Sequence, residues 1–439
     1  MTAFACDLMC AQIKKGDEVC ALWPGQMMLL NQEIRFRERI RADGIKSIEL
    51  INPLPVPLDE GVKAVDRFTR HGNKRVFLSF LQSQRPDVIH VHTLMGLYAA
   101  FMEAANELKI RTVFTTHDYF GICPKVTLYR NGAVCDDDEN CGRCASCNQT
   151  ALSVNGIRFL QSPLYRRYKD SKIIKRLRKI HRERFFSSPQ PDRSAKTDNP
   201  PATEAEAYRR LRAYYCSILN RMDLIHFNST LSREIYSKYI TPVNGVVLPV
   251  SRNGIRDLRD EKGRSGDNGK CTIVYLASMK PYKGFPVLQQ ALDELWSEGI
   301  RSFELLVFSR TDRISPYLKC HEEGYTRAQL NEILQQADVL VAPSIWYETY
   351  GFTVLEALSH GVPVIVSDHV GAKELVNGFG RVVPSGDVPA LKEAVRDCIA
   401  DMGSITKKKM AAQVVAWEQF VDDCYALYRE DDRKCRTVL

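Results

Sequence analysis

The sequence lacks any apolar run near the roughly 18 residues that a membrane-spanning helix requires. Its first residues also lack a basic segment leading into an apolar stretch, and Asp7 interrupts the start, so no secretory signal peptide is predicted. No internal repeat is visible. Apolar residues make up 44% and charged residues 26% of the 439 positions, which excludes a disordered or fibrous protein. We therefore expect a cytosolic globular chain of two or three domains.

Cysteine is the next informative residue type, because 14 are present and most are scattered. In a reducing compartment such residues stay as thiols or bind metals, so no disulfide framework is expected. The dense group is Cys135, Cys141, Cys144 and Cys147, with Cys123 nearby. Its spacing favours a four-thiolate site for a structural Zn²⁺, with Cys123 as a substitute ligand. An iron–sulfur cluster, free thiols and a disulfide remain open as alternatives.

Positive charge is concentrated in one segment. Residues 157–184 contain eleven Lys or Arg against Asp170 and Glu183, a net charge of +9. Because the whole chain carries +8, the remainder carries −1. That near-neutral remainder, and the lack of aromatic residues interleaved over the basic run, argue against nucleic acid as a partner.

The basic segment also has helical periodicity. Ile173, Leu177 and Ile180 share one face of a helix whose other positions are mostly basic. This pattern predicts that residues 157–186 form a helix lying on an anionic membrane surface. A solvated basic helix is the alternative.

The first half of the chain alternates between strands and helices. Helices are predicted over residues 2–15 and in a segment ending near 107. Continuous apolar strands separated by helices predict a parallel sheet covered on both faces. The predicted strands are residues 18–22, 47–51, 87–92, 111–116, 222–227 and 246–248.

The second half repeats this alternation after a break. Residues 123–215 read as an insertion, and residues 251–270, rich in Gly, Asp, Arg and Lys, read as a linker. The predicted domains are therefore 1–250 and 271–413, followed by a C-terminal segment, 414–439, that packs back on the first domain. Its amphipathic helix is expected over 414–428. The remaining predicted strands are residues 272–277, 304–308, 338–342 and 362–367.

The expected fold class is α/β, with two doubly wound domains facing each other across a cleft. Ligands of open α/β sheets bind beyond the carboxyl ends of the strands, so this cleft is the default site.

The most informative motif follows a predicted strand and opens a short helix at residues 343–356. The helix N-terminus offers unpaired N–H groups and a positive dipole end, and Gly351 lets the backbone approach an anion closely. Glu348 and Glu356 flank that anion site. Carboxylates are good acceptors for vicinal hydroxyls, so the motif suits a nucleotide sugar. An alternative explanation is that Thr353-x-x-Glu356 is only a capping box.

The surroundings of this motif carry a resemblance to a known family. The spacing of Glu348 and Glu356 is E-x7-E, and the segment is similar to the donor half of the retaining glycosyltransferases of family 4, which have the GT-B fold. Residues 87–92 and 115–118 resemble the acceptor half of that family. Other matching stretches are Tyr275 to Gly284, Ala337 to Ser344, Ala357 to Asp368, Gly371-x-x-Glu374-Leu, and Trp417 on the last helix.

The resemblance implies a role for each matching donor residue. Glu356 would bind ribose hydroxyls, Glu348 would contact the transferred sugar, and the backbone of 349–353 would hold the diphosphate. Lys283 would neutralise the leaving pyrophosphate, with a solvated loop lysine as the alternative. The implied donor-binding set is Ser278, Lys280, Lys283, Glu348, Thr349, Tyr350, Gly351, Phe352, Thr353 and Glu356.

On the acceptor side, His117 resembles the active-site histidine of the family, so the implied catalytic residues are His117, Lys283 and Glu348. A histidine that only packs or caps a strand end is the alternative for His117. His92 and Asp118 are expected to line the acceptor pocket, and His90 is expected to be structural.

The resemblance further implies transfer of a hexosyl group from a nucleotide-diphosphate sugar to a saccharide or lipid-linked saccharide, without a catalytic metal. Bacterial surface polysaccharide synthesis at the inner face of the membrane is the expected context. Two departures favour the alternative of a catalytically impaired nucleotide-sugar binder. Family members place a strand and a Gly-rich loop before the helix at which this chain begins, and they often have an arginine where Ser278 stands. Lys280 is a poor substitute where a forked contact is needed.

Overall fold

The computed structural model describes residues 2–39, 44–57, 61–135, 141–172, 174–176, 180, 202–241, 244–259, 269–400 and 413–429. Within them the predicted alternation of strands and helices is present in both halves of the chain. No helix in this part of the chain is both long enough and apolar enough to cross a membrane.

The first half contains a three-stranded and a four-stranded sheet. The smaller sheet has the order β1-β3-β2, with β2 antiparallel at one edge, and the larger is a parallel sheet of order β4-β5-β8-β9. The strands are β1 (Cys20–Pro24), β2 (Arg35–Arg39), β3 (Lys46–Ile51), β4 (Val88–Val91), β5 (Arg111–Thr115), β8 (Leu224–Phe227) and β9 (Gly245–Val247). The helices are α1 (Thr2–Lys14), α2 (Lys74–Gln84), α3 (Ala99–Glu107) and α8 (Thr230–Ser237).

Strand β2 was not predicted, since its sequence, Arg-Phe-Arg-Glu-Arg, offers one apolar side chain and no alternation of apolar residues. In the structure that single side chain anchors the strand to the core. Phe36 points inward and stacks on Phe80 with ring centroids 3.8 Å apart, while the charged residues of β2 face solvent.

The predicted insertion differs from its expected form. It contains the hairpin β6 (Tyr129–Arg130) and β7 (Ala133–Val134), and the helices α4 (Cys144–Cys147), α5 (Val154–Leu160), α6 (Pro163–Tyr168) and α7 (Ala202–Leu219). The single basic helix predicted from residue 157 was wrong in its first part. Ser162 caps a new helix with Pro163 in its first turn, which separates α6 from α5. Ile173, Leu177 and Phe186 lie outside the residues described here.

Helix α7 is part of the core although the sequence placed most of it in the insertion. Its side chains Tyr208, Leu211, Tyr215 and Ile218 are buried among those of α3 and the larger sheet. Aromatic residues in a charged sequence had obscured the apolar face of this helix.

The second half is a single parallel sheet of order β12-β11-β10-β13-β14-β15 with helices on both faces, the doubly wound form that was predicted. Strands β12 and β15 were missed because both are short, partly exposed edge strands. The strands are β10 (Cys271–Tyr275), β11 (Phe303–Val307), β12 (Leu318–Cys320), β13 (Val339–Ala342), β14 (Val364–Ser367) and β15 (Gly380–Val383). The helices are α9 (Phe285–Ser297), α10 (Arg327–Gln336), α11 (Phe352–Ser359) and α12 (Val388–Ala400).

The last helix, α13 (Trp417–Leu427), confirms the predicted amphipathic pattern. It buries Trp417, Phe420, Val421, Cys424 and Leu427. Its contacts are largely with the first half of the chain, including the ring of Phe4 in α1, and Arg111 donates a hydrogen bond to the Leu427 carbonyl. The segment read as a linker is also packed where it is described, since Ile255 is buried and Ser251 donates to the Val415 carbonyl.

Two histidines, the buried His226 and the half-buried His90, connect three strands of the larger sheet through one threonine. The Thr115 hydroxyl lies 2.7 Å from His90 Nε2 and 2.9 Å from His226 Nδ1. His90 Nδ1 lies 2.8 Å from the Tyr428 hydroxyl, and His226 Nε2 donates to the Leu248 carbonyl at 2.7 Å. Burial lowers the pKa of His226 to about 4 and places the pKa of His90 well below its usual value. Both rings are therefore neutral in the folded protein, and His90 has the structural role that was expected.

The low pKa values of these histidines predict that the folded protein loses stability in acid. In the unfolded chain His226 takes up a proton near pH 6.5, whereas in the folded protein its pKa is about 4, so the unfolded state binds more protons between these values. We expect the free energy of unfolding to fall as pH falls through this window, by about 1 kcal/mol per pH unit for each such histidine. Urea titrations at pH values from 7.5 to 4.5 measure this pH dependence of the free energy of unfolding. His226→Gln should flatten the slope and His71→Gln, at an exposed site, should not; equal slopes in all three proteins would contradict the assignment.

Candidate functional site

The candidate site lies where the carboxyl ends of strands from both halves face each other. The strand ends and loops of each half form one wall of this cleft, and we call them the first-half wall and the second-half wall. The two walls contact each other directly through Thr349, in the loop after β13. Its hydroxyl donates to the His117 carbonyl at 3.0 Å, and its own carbonyl accepts from the Ser229 hydroxyl at 2.7 Å. The Thr230 N–H also donates to Glu374 at 2.5 Å. The predicted donor and acceptor motifs are thus brought together at one cleft.

Glu348 and Lys283 form the central ion pair of the second-half wall. Lys283 Nζ lies 2.8 Å from Glu348 Oε1, and the Ser344 hydroxyl donates to Glu348 Oε2 at 2.7 Å. Burial by itself would raise the pKa of Glu348, but the charge and hydrogen bond of Lys283 and the Ser344 hydroxyl hold it below its usual value. The lysine ammonium also lies 4.8 Å from the centre of the Trp346 ring. The result is a cation and a carboxylate held against each other at a partly exposed position of the wall.

Gly284 allows this lysine to be positioned there. The residue has a φ of 81°, and a Cβ on it would lie 1.8 Å from the Pro343 carbonyl oxygen. Only glycine fits such a close approach of two backbone segments. The loop carrying Lys283 therefore packs directly on the loop carrying Glu348.

Helix α11 begins beside this pair and presents its N-terminus without a side-chain cap. Gly351 is the N-cap residue, with a φ of 108°, and Thr353 is the second residue inside the helix. The capping-box explanation of Glu356 was therefore wrong, because Thr353 is not in the capping position. Tyr350 is buried with its ring 5.5 Å from that of Phe352, so its side chain belongs to the core and only its backbone borders the loop.

Glu356 is a buried carboxylate that is only half satisfied. It is 3% exposed, and its Oε1 accepts from Arg252 at 2.6 Å. Its Oε2 is buried and has no hydrogen-bond partner among the described residues. Burial raises the pKa of Glu356, and the Arg252 charge opposes that shift. An unpaired carboxylate oxygen is unfavourable without a ligand, so the geometry indicates a position for a hydroxyl or N–H donor.

Arg252 is a site residue that the sequence analysis missed. It lay at the start of the presumed linker, where a single arginine carries no recognisable pattern. Ser278 and Lys280 lie on the loop after β10. The Ser278 carbonyl accepts from the Tyr275 hydroxyl at 3.0 Å, and Lys280 Nζ lies 5.6 Å from the centre of the Tyr282 ring.

The first-half wall contains a pair of neutral histidines. His92 Nδ1 and His117 Nε2 are 3.1 Å apart, so one ring donates a hydrogen bond to the other. Burial lowers the pKa of His92 to about 3 and lowers that of His117 well below its usual value. Asp118 lies next to them, and burial raises its pKa to about 6 although the Phe120 N–H bonds to it. The histidine pair is therefore uncharged at neutral pH, whereas Asp118, with a pKa of about 6, is mostly ionised there.

Phe4 is the second residue that the sequence analysis missed. Its ring lies 4.9 Å from that of His117 and 6.4 Å from that of Phe352, so α1 packs across both walls. A phenylalanine in an apolar N-terminal helix gives no signal of such a position.

The cysteine group is close-packed in the insertion. The Cys141 and Cys144 thiols hydrogen-bond to each other, and burial, followed by the nearby Cys147, raises the pKa of Cys123 to about 12. In the part of the chain that the structure describes, no three Cys, His, Asp or Glu side chains are arranged to hold a metal ion. As placed, Cys135, Cys141, Cys144 and Cys147 do not form a four-ligand site, and zinc binding stays a prediction from the sequence.

Each half of the chain matches a family of known proteins. Residues 2–135 match the family described as Glycosyltransferase Family 4, and residues 270–401 match Glycosyl transferases group 1. A phosphatidyl-myo-inositol mannosyltransferase from Mycobacterium leprae is 29% identical over 137 residues, which cover 28% of this chain and 36% of that protein. The alignments with curated relatives span less than half the length of those proteins.

Solved structures show the fold along almost the whole chain. A glycosyltransferase from Rickettsia africae aligns with a TM-score of 0.56 at 13% identity, covering 97% of this chain and 93% of that one. A sucrose-phosphate synthase from Thermosynechococcus elongatus aligns with a TM-score of 0.53 at 16% identity, covering 96% and 91%. The expected GT-B fold is thereby confirmed. On the two family matches and this fold, the chain belongs to the family 4 (group 1) glycosyltransferases.

Proposed function

We propose that the chain is a retaining glycosyltransferase that moves a hexosyl group from a nucleotide-diphosphate sugar to a saccharide or lipid-linked saccharide. The observation that carries the proposal is the set of three groups on the second-half wall. These are the Lys283–Glu348 ion pair, the uncapped N-terminus of α11, and the unpaired carboxylate oxygen of Glu356. Together they offer a cation, backbone N–H donors and a hydroxyl acceptor at one edge of the sheet.

Each group matches one part of such a donor. The Glu356 Oε2 atom accepts from a ribose hydroxyl, which satisfies the oxygen that the protein leaves unpaired. The N–H groups at Gly351, Phe352 and Thr353 receive the diphosphate, since helix N-termini favour anions. Lys283 lies beside them, so its charge stabilises the negative charge that develops on the diphosphate as the glycosidic bond breaks. Glu348, oriented by Lys283 and Ser344, accepts from hydroxyls of the transferred sugar.

The acceptor enters from the first-half wall, where His92, His117 and Asp118 lie. Neutral imidazoles there bind sugar hydroxyls without attracting or repelling the diphosphate. A lipid-linked acceptor is in keeping with the relative whose name specifies a phosphatidylinositol substrate. The corresponding setting is bacterial surface polysaccharide synthesis at the cytoplasmic face of the membrane.

Ser278 supports a second candidate function, a nucleotide-sugar binder with impaired catalysis. Its side chain is too short to reach a diphosphate as the arginine of many relatives would, and Lys280, two residues on, lies over the Tyr282 ring. In this case the nucleotide binds and transfer is slow. Binding and turnover measured on the same preparation distinguish the two candidates.

The proposal predicts that donor affinity depends on Glu356. UDP, GDP and ADP are titrated by calorimetry into the unmodified chain, Glu356→Gln and the control Glu304→Gln. Glu304 is also a buried carboxylate paired with a lysine, Lys319, but it lies on β11 away from the cleft. We expect one nucleotide to bind, and Glu356→Gln to weaken it by about 10- to 100-fold, because a hydrogen bond to a charged acceptor is lost. Equal affinities of the two variants for the nucleotide would show that Glu356 does not bind it.

The proposal also predicts that turnover of the matching nucleotide sugar depends on Lys283. Lys283→Met should lower kcat by at least about 100-fold, since one fixed charge at the leaving group contributes roughly 3 kcal/mol to the transition state. Lys392→Met, which removes a lysine paired with Glu294 and Glu298 on the surface, should leave kcat unchanged. Proton NMR of the product reports the anomeric configuration. An inverted product would refute the retaining mechanism, and nucleotide binding without turnover would favour the impaired binder.

A further inference from the structure

Exposed apolar side chains are concentrated in one region of the first half. Eight large hydrophobic side chains are strongly exposed in the described part of the chain, and six lie in two short stretches, residues 29–30 and 159–180. Single exposed apolar residues are ordinary on protein surfaces, but a cluster of them marks an interaction surface. The six residues are Leu29, Leu30, Phe159, Leu164, Tyr168 and Ile180.

The two stretches are held side by side, although about 130 residues separate them in sequence. Arg158 on α5 donates hydrogen bonds to the carbonyls of Met28 and Leu29, at 3.4 and 3.2 Å. The Met27 N–H donates to the Gln161 carbonyl at 3.0 Å. On α6, Leu164 and Tyr168 are four residues apart and so share one face of that helix. The Leu29–Leu30 loop and the two helices therefore form one surface, which we call the apolar–basic surface.

An ion pair between an exposed arginine and a buried carboxylate joins α6 to the smaller sheet. Arg166 Nη1 lies 2.8 Å from Glu49, a carboxylate with no exposed surface, and its guanidinium lies 5.0 Å from the centre of the Trp23 ring. Arg39 of β2 bonds to the other oxygen of the same carboxylate. Losing Arg166 would leave the buried carboxylate with one arginine instead of two, so this contact favours the orientation in which the apolar face of α6 points outward.

The charge of this surface is strongly positive. Among its described residues between 158 and 176 there are seven Lys or Arg against Asp170. Lys169, Lys172, Lys175 and Arg176 are exposed along the chain that continues from α6. Positive charge beside exposed leucine and aromatic side chains matches a bilayer interface, where headgroups are anionic and the acyl boundary is apolar.

We infer that the apolar–basic surface docks on an anionic lipid bilayer, with the Leu29–Leu30 loop as its inserted part. Leu30 is 98% exposed, so the described part of the chain covers almost none of that side chain. A nucleic acid would use the basic residues but would gain nothing from Leu29, Leu30 and Leu164. The surface differs from the sequence expectation, which relied on one long basic helix and did not include residues 29–30.

The position of this surface connects it with the cleft. The Leu29–Leu30 loop follows the carboxyl end of β1, and Pro24 at that end packs against Gly96, four residues beyond His92. A lipid-linked acceptor anchored in the bilayer would therefore reach the first-half wall from the docked side. This last connection rests on the proposed function, whereas the docking itself does not.

The test is flotation of the full chain with vesicles of phosphatidylcholine, with and without phosphatidylglycerol. Leu29→Asp combined with Leu30→Asp should lower binding to the anionic vesicles by at least about tenfold, because two leucine insertions are lost and two negative charges are added. Lys169→Glu combined with Lys172→Glu should lower it comparably and make the remaining binding less sensitive to salt. The unmodified chain should bind phosphatidylcholine vesicles at least about tenfold more weakly than anionic ones.

A matched control exists in the second half. Ile314 is 96% exposed and follows the exposed Arg313, so Arg313→Glu combined with Ile314→Asp changes the same kinds of residue away from the surface and should bind vesicles as the unmodified chain does. Nucleotide binding by calorimetry should be unchanged in the leucine variant, which separates failure of docking from failure of the donor site. Absent vesicle binding by the unmodified chain, or equal binding by the leucine and control variants, would overturn the inference. A dimer that the leucine variant abolishes, or tight binding to duplex DNA instead of vesicles, would also overturn it.

Discussion

The contact made by Thr349 is the interaction on which the site depends. Its side chain bonds to the backbone of the first half and its backbone accepts from a side chain of the same half, so one residue joins the two walls through two hydrogen bonds. Because Thr349 lies between Glu348 and the N-terminus of α11, the groups proposed to bind the donor are placed at a defined distance from His117. A motif split between two domains can act as one site only if such contacts hold them together.

Three carboxylates with little exposed surface differ in how their charge is neutralised. That difference distinguishes a structural role from a ligand-binding role. Glu49 has two arginines and a backbone N–H, so both of its oxygens are satisfied and it serves to fix α6 and β2. Glu348 has a lysine and a serine hydroxyl. Glu356 has one arginine and one oxygen with no partner in the described part of the chain. Because burying an unpaired charge is costly, the incomplete pairing of Glu356 is the feature that points to a ligand.

Histidines in the first half follow the opposite principle. His226 is buried and His90, His92 and His117 are half-buried, and all four are neutral at neutral pH. Their ring nitrogens bond to one another, to the Thr115 or Tyr428 hydroxyl, or to a backbone carbonyl, instead of to a carboxylate. The imidazoles of the wall that faces the donor charges are therefore uncharged at neutral pH, and the ionisable group beside them is Asp118. This difference between the walls separates an anion-binding side from a side suited to neutral hydroxyls.

The sequence determined the fold class, the strands of both parallel sheets except short edge strands, and the candidate pair Glu348 and Glu356, because apolar periodicity and local motif spacing are properties of contiguous residues. It did not determine the Arg252–Glu356 pair, the position of Phe4, or the adjacency of Leu29 and Arg158, since each joins residues far apart in the chain. The capping-box alternative could be rejected only when the helix start was known to be Gly351. Contacts between distant segments depend on how the elements pack, and packing is decided by the tertiary structure.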